Sequence, residues 1–260
     1  EGSGLGNFSS TDLEKLLAGK IISINPGIDE LSEGLKGTCS PADIETFMQL
    51  VYLSFTAPRA DSNYFVSFMN RRKGMLENKK MNPSSAFYDT ITLTMAQYHP
   101  MVKLWDAEML KEADFNKIQK IYQERFTPSA DFVFMFVGNI DTTKFKPLAE
   151  TYIGGLPVTG KAEQFKDLGV RPPKVKIEKK YLKEMKEPKA SVFISFTGEY
   201  DYALRNRILI TAINEILKVR YTETIREEES GTYGVQVSAY QNKYPYSNYQ
   251  FNISFNCAPE

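Results

Sequence analysis

The chain has 260 residues, 42% of them hydrophobic and 25% charged, and its 32 basic side chains balance 32 acidic ones. That composition excludes a disordered chain, and zero net charge excludes the single-sign field that recruits nucleic acid or acidic lipid. No apolar run approaches the roughly 20 residues needed to span a bilayer, so no membrane insertion is expected.

The chain opens on Glu1 with no charged-then-apolar leader, which reads as an excised segment. Cys39 and Cys257 are the only cysteines and His99 the only histidine. One imidazole excludes every two-histidine metal site, and two thiols cannot build a multi-thiolate one. The expectation is two unpaired thiols and no metal held by this segment.

Ser9 and Asp12 stand at capping-box spacing, which predicts a helix through Leu13, Leu16 and Leu17 that stops at Gly19. Ile21, Ile22 and Ile24 predict a short strand closed by Asn25-Pro26-Gly27, with residues 31–36 as its hairpin partner. Ser40-Pro41-Ala42-Asp43 reads as a second capping box. Ile44, Phe47, Met48, Val51, Tyr52 and Phe55 then make one broad apolar helix face, ended by Pro58. Asp61 is expected to cap a helix carrying Tyr64, Phe65, Phe68, Met69 and Leu76, and a third helix follows Pro83. Asp114 caps another, with Ile118, Ile121, Tyr122 and Phe126. Residues 132–137 form a continuous apolar run, expected to be a buried central strand. Asp141 opens a helix that ends at Gly154-Gly155-Leu156-Pro157.

Residues 158–173 hold Gly160, Gly169, Pro172 and Pro173 and are the expected linker between a domain of residues 1–157 and a second of residues 174–260. In the second, Val175, Ile177 and Tyr181 suggest a strand, as do Val192, Ile194 and Phe196. Leu204, Ile208, Ala212, Ile216 and Leu217 stripe a long helix. Val235, Val237 and Ala239 alternate in one strand, and Tyr249, Phe251, Ile253, Phe255 and Cys257 in its return partner. One helix leaves such a sheet partly bare, so this second domain is expected to be truncated, and the first is expected to lack strands that would precede Phe8. The fold class is α+β, with mostly antiparallel sheets and helices on one face.

The stretch with most chemistry is Arg226-Glu227-Glu228-Glu229-Ser230-Gly231-Thr232-Tyr233-Gly234. The long helix runs into it and an alternating strand leaves it. An arginine near the helix end and a tyrosine beyond a glycine loop can face one cavity, and both donate hydrogen bonds suited to peptide carbonyls or an oxyanion. Arg226 is expected off the centre of the helix's apolar stripe, with Gly231 and Gly234 freeing Tyr233 to project. The plain alternative is surface ion pairing of Arg226 with Glu223, Glu227 and Glu229, and packing of Tyr233 at a strand start.

Three stretches together resemble the pitrilysin/insulinase-type zinc peptidases, in the C-terminal half of the four-domain form. The first is Leu17-Ala18-Gly19-Lys20, with Ser40-Pro41-Ala42-Asp43-Ile44-Glu45 and Leu53-Ser54-Phe55-Thr56-Ala57-Pro58-Arg59. The second is Tyr122-Gln123-Glu124-Arg125-Phe126, Val137-Gly138-Asn139-Ile140-Asp141 and Gly155-Leu156-Pro157, and the third is residues 226–235. The resemblance implies repeated peptidase-like domains, as in processing peptidases, closing around a peptide chamber. It implies zinc in the other half, held through an inverted H-x-x-E-H motif plus a distal glutamate. It makes Arg226 and Tyr233 substrate-binding residues, and peptide substrate and the catalytic N-terminal half, or a partner subunit, the expected partners. In this chain Thr11-Asp12-Leu13-Glu14-Lys15 falls where that motif would stand, so no catalytic or metal residue is expected here. The second implied role is a non-catalytic scaffold or peptide-binding module of processing-peptidase type.

Other candidates have plain readings. Residues 174–189 are lysine-rich, but Glu178, Glu184 and Glu187 interleave as on a solvated face. Tyr240, Tyr244, Tyr246 and Tyr249 make either an aromatic edge for an extended peptide or a hairpin's cross-strand packing.

Overall fold

The structure is a computed structural model and describes residues 2–127, 129–158, 165–182, 189–228 and 234–258, with backbone alone at 226–228. The chain divides into two compact units. One combines residues 1–79 with 105–166; the other combines residues 80–104 with 167–260. The division falls inside the 158–173 stretch and groups the helix after Pro83 with the C-terminal unit.

In the first unit, α1 (Ser10–Leu16) begins on the expected box. Ser9 Oγ accepts from Asp12 N at 3.2 Å, and Asp12 accepts from Ser9 N at 3.0 Å. β1 (Ile22–Ile28) and β2 (Glu33–Cys39) form an antiparallel hairpin. β1 runs straight through Asn25-Pro26-Gly27, which the sequence reading had ending the strand. An edge strand tolerates the missing proline donor, and Pro26 simply pairs opposite Leu35.

The second expected capping box is built differently. Ser40 Oγ donates to the Asp43 carboxylate at 2.7 Å, and Ile21 N donates to it at 3.1 Å. Those bonds hold the Asp43 carboxyl below the usual carboxylate range, the Ser40 bond contributing most. Asp43 thus ties the helix start to the entry of β1 rather than closing a reciprocal cap.

α2 (Ile44–Thr56) carries the core of this unit. Its Phe47, Met48, Val51 and Phe55 cluster with Phe126 and Leu156. Phe126 ends α5 (Phe115–Phe126), whose first turn is capped by Asp114 accepting from Lys117 N at 2.8 Å. Tyr122 stacks on Phe126 with ring centroids 4.5 Å apart, and its hydroxyl donates to Ser54 O at 3.0 Å. Burial pushes the Tyr122 phenol up to about 12. α3 (Ser62–Met81) starts on Asp61, which accepts from Tyr64 N, but only Leu76 of its expected apolar side is buried. α6 (Thr142–Tyr152) is capped by Asp141 and packs against α2.

Residues 132–137 correct an expectation. They form no strand; they run extended with every second side chain inward. Phe132, Phe134 and Phe136 pack on the core, whereas Val133, Met135 and Val137 are 87%, 81% and 89% exposed. The run is apolar on both faces, but only the aromatic face has anything to pack against.

In the second unit, β3 (Ala190–Glu199), β4 (Val235–Asn242) and β5 (Asn248–Cys257) make an antiparallel sheet in the order β3-β5-β4. The register sets Val192, Phe255 and Val235 in one row, Ile194, Ile253 and Val237 in the next, and Phe196, Phe251 and Ala239 in a third. Paired residues share a face, so every residue read as alternating lies on one apolar side. The opposite side is polar, with Ser191 bonded to Asn256 and Ser195 to Asn252. Gly198 is required where the Tyr249 ring crosses β3, since a Cβ there would lie 2.7 Å from the ring.

α7 (Leu204–Tyr221) covers the β4 side of the apolar face. It does so with Asn206, Ile210, Asn214, Leu217 and Tyr221, its less exposed positions. Of the expected stripe, Leu217 lies on this covered face, whereas Leu204, Ile208, Ala212 and Ile216 point the other way, the three large ones 60–70% exposed. The helix is apolar on two opposite faces, and the sheet takes the one that lets Gln241 bond Arg207 O and Thr211 Oγ1. Residues 174–182, expected to hold a strand at Val175, Ile177 and Tyr181, form none. Lys179 instead ties them to the last turn of α4 (Pro83–Met95) and to Tyr98 just beyond it, its Nζ donating to Thr94 Oγ1 and to Tyr98 Oη.

The chain exposes 18561 Å². Two separate folded units of half its mass would together expose roughly 14,000 Å² by the usual mass scaling. The chain as a whole therefore exposes more surface than two self-sufficient domains of that size.

Candidate functional site

α7 delivers the chain to the candidate substrate-binding segment. Ile210 anchors the helix to the sheet, and Arg220 and Glu223 pair at 3.7 Å just beyond. At Thr222 the pitch changes, and residues Thr222–Glu228 form a π-helical turn that contains Arg226. The expectation that Arg226 sits off the apolar stripe rested on an unbroken α-helix. Eighteen residues separate it from Ile208, about five turns at 3.6 residues each, so an ideal helix would set the two in line. The π turn removes that register. Tyr233 lies outside the described residues, and β4 begins two residues later at Val235. The structure thus neither joins nor separates the two proposed substrate contacts.

A zinc site requires ligands with free lone pairs in a compact set. α1 carries Thr11, Glu14 and Lys15, all exposed. A lysine ammonium has no lone pair to give and repels a cation. Among the described residues, no three His, Cys, Asp or Glu side chains come close enough to hold a metal. His99 is engaged locally, its Nδ1 accepting from Met101 N at 3.3 Å. Cys39 and Cys257 are both free thiols, and burial pushes the Cys39 thiol up. The residues described here do not fit zinc.

The tyrosine-rich hairpin is divided between the two readings given above. Tyr249 packs edge-on against Tyr200 and Phe251, and Tyr246 lies under the Arg171 guanidinium at 3.9 Å. Tyr240 and Tyr244 remain exposed. Arg171 also grips Asp167 through both guanidinium nitrogens, which holds the Asp167 carboxyl at about 2. This clamp was not anticipated: residues 167–171 are not helical, so the four-residue spacing of Asp167 and Arg171 gave no signal for it. Neighbouring Gln97 and Tyr98 take left-handed backbone angles, φ 50° and 56°, an arrangement that costs about 1 kcal/mol or more per residue. Gln97 Nε2 offsets the strain by donating to Arg171 O and Pro172 O. Of the interleaved charges, Glu178 pairs with Lys176, while Lys174 pairs with Glu199 on β3; Glu184 and Glu187 lie outside the described residues.

Residues 112–260, more than half of the chain, match the family described as the peptidase M16 inactive domain. The chain belongs to this family. It is 22% identical over 259 residues to a probable zinc protease PqqL of Haemophilus influenzae, covering 99% of this chain and 27% of that protein. It is similar to the crystal structure of the periplasmic protease PqqL from Escherichia coli, with a TM-score of 0.86 and 21% identity over 99% of this chain and 28% of that one. A peptidase M16 inactive domain from Pseudomonas fluorescens matches with a TM-score of 0.75 and 15% identity, over 100% of this chain and 63% of that one. The chain therefore spans little more than a quarter of the curated relative's length. The M16 fold accounts for the α+β class and the antiparallel sheets. No helix among the described residues is long and apolar enough to cross a membrane.

Proposed function

We propose that this chain belongs to the non-catalytic half of a zinc metalloendopeptidase, where it walls a substrate chamber and positions extended peptides. Two peptidase-like domains, meeting within residues 158–173, would form this part of the wall. The zinc centre would belong to the catalytic half of the same protein. The observation that carries the reading is the match of residues 112–260 to the peptidase M16 inactive domain; in the register that the resemblance implies, Thr11 and Lys15 of α1 would stand where zinc ligands are needed. Arg226 then offers a planar fork of donors to substrate carbonyls, and Tyr233 a hydroxyl to a developing oxyanion, a contact worth at most about 4 kcal/mol. A π turn at Arg226 supports this assignment, since such turns are rare and concentrate at functional sites.

Metal analysis tests the division of labour. The purified, dialysed 260-residue chain should hold far less than one zinc per molecule, and the parent protein about one. Stoichiometric zinc that resists dialysis in the 260-residue chain, with ligands from it, would refute the proposal.

A further inference from the structure

One strip along α3 is an exposed apolar seam flanked by arginines. At about 100° per residue, Met75 and Phe68 project about 40° and 60° around the helix from Arg71, and Arg72 about 100°. The seam therefore lies between two guanidiniums. Phe68 and Met75 are both exposed, whereas Leu76, the buried residue of α3, falls beyond Arg72 on the side that faces the protein. Glu77, the only carboxylate of the helix, projects from the opposite side.

Both arginines are positioned by aromatic rings. Arg71 lies over the Tyr64 ring at 5.7 Å, and Tyr64 stacks on Phe68 with ring centroids 6.4 Å apart. Arg72 lies over the Trp105 ring at 5.6 Å. Trp105 and α3 as far as Lys79 belong to the same compact unit. Neither guanidinium has a carboxylate partner among the described residues. A guanidinium stacked by its face keeps its N–H edge for a planar acceptor, and it is more weakly hydrated than an ammonium.

We propose that this strip docks an acidic segment of another polypeptide, one with an apolar side chain between two carboxylates. Each carboxylate would take one guanidinium edge as a bidentate pair, and the apolar side chain would rest on Phe68 and Met75. Such docking needs neither zinc nor cleavage, so it is independent of the substrate-chamber reading.

The charge pattern separates this occupant from others. A single phosphate cannot reach both guanidiniums, because they diverge around the helix with Phe68 and Met75 between them. A nucleic-acid strand or an anionic lipid surface calls for a broad run of cations on one face, about four or more at a membrane. Lys73 and Lys80 point away from the seam, and Lys73 is paired with Glu77 at 3.8 Å. A wholly acidic partner would leave Phe68 and Met75 in water, and a wholly apolar one would leave both guanidiniums without acceptors. A polypeptide can set carboxylates and apolar side chains next to one another at residue spacing.

Trp105 is the only tryptophan and sits against Arg72, so its fluorescence reports on the strip. The 260-residue chain is titrated with the end-blocked hexapeptide Glu-Leu-Phe-Glu-Leu-Glu and, separately, with its counterpart carrying lysine in place of each glutamate. The expected result is a saturable change in emission with the glutamate peptide alone, weakened by added salt. Arg71→Gln leaves the contact between Arg72 and Trp105 in place and should weaken the affinity about tenfold, while Arg71→Lys should fall between it and wild type. Circular-dichroism melts of both variants should match wild type. An equal response to the two peptides, no saturable response, or wild-type affinity in Arg71→Gln overturns the proposal. Lowered melting temperatures in both variants overturn it by making Arg71 structural. An emission change with phosphatidylserine-containing vesicles and none with the glutamate peptide overturns it in favour of a lipid surface.

Discussion

Phe126→Ala is expected to destabilise the chain by about 3–5 kcal/mol, the range for removing a buried phenylalanine. Phe126 is fully buried and joins three separate stretches of sequence. It ends α5, stacks on Tyr122, meets Phe55 of α2 edge-on at 5.9 Å and contacts the Phe132 ring at 5.9 Å. Removing the ring leaves a cavity that α2 and α5 cannot close, because both are held elsewhere, α2 by the β1–β2 hairpin and α5 by its Asp114 cap. Phe126→Leu, which keeps most of the volume, should cost far less. Denaturant unfolding followed by fluorescence and by circular dichroism measures both. Equal, small losses for the two variants would show that the aromatic cluster does not hold this unit together.

Arg226→Ala and Tyr233→Phe are each expected to lower kcat/KM of the parent protein for peptide cleavage about tenfold or more, equivalent to at least about 1.4 kcal/mol of transition-state stabilisation. Arg226→Lys should fall close to the alanine variant, because an ammonium keeps the charge but loses the fork. Neither change removes a large apolar side chain, so both should alter unfolding stability by less than about 1 kcal/mol. Wild-type cleavage by both variants, or a collapse of their stability, would make these residues structural.

Local chemistry was the most legible part of this sequence. The caps at Ser9, Asp61, Asp114 and Asp141 form as read, because each is a side-chain bond to a backbone a few residues away. The three apolar rows of the C-terminal sheet were legible for a similar reason, since period-two alternation survives whichever strands pair. Partner choice was not legible. α7 has two apolar faces, and periodicity gives no preference between them. Val175, Ile177 and Tyr181 alternate, but the pattern meets bonds to Tyr98 and Thr94 instead of a ladder. The run at 132–137 was read as fully buried because both faces are apolar; the size difference between Phe inward and Val or Met outward was the available signal. Arg226 and Tyr233 came from a pattern of residue types, and the π turn that repositions Arg226 has no signature in helical spacing.

Photo-crosslinking tests most directly whether this chain touches substrate. Tyr233 is replaced by p-benzoylphenylalanine in a parent protein made unable to cleave by zinc removal, and a labelled extended peptide is irradiated with it. Lys117, on the exposed side of α5, carries the same group as a control. The account predicts peptide crosslinked at position 233, competed away by unlabelled peptide, and none at position 117. Peptide that crosslinks equally at both positions, or at neither while still binding the protein, contradicts it.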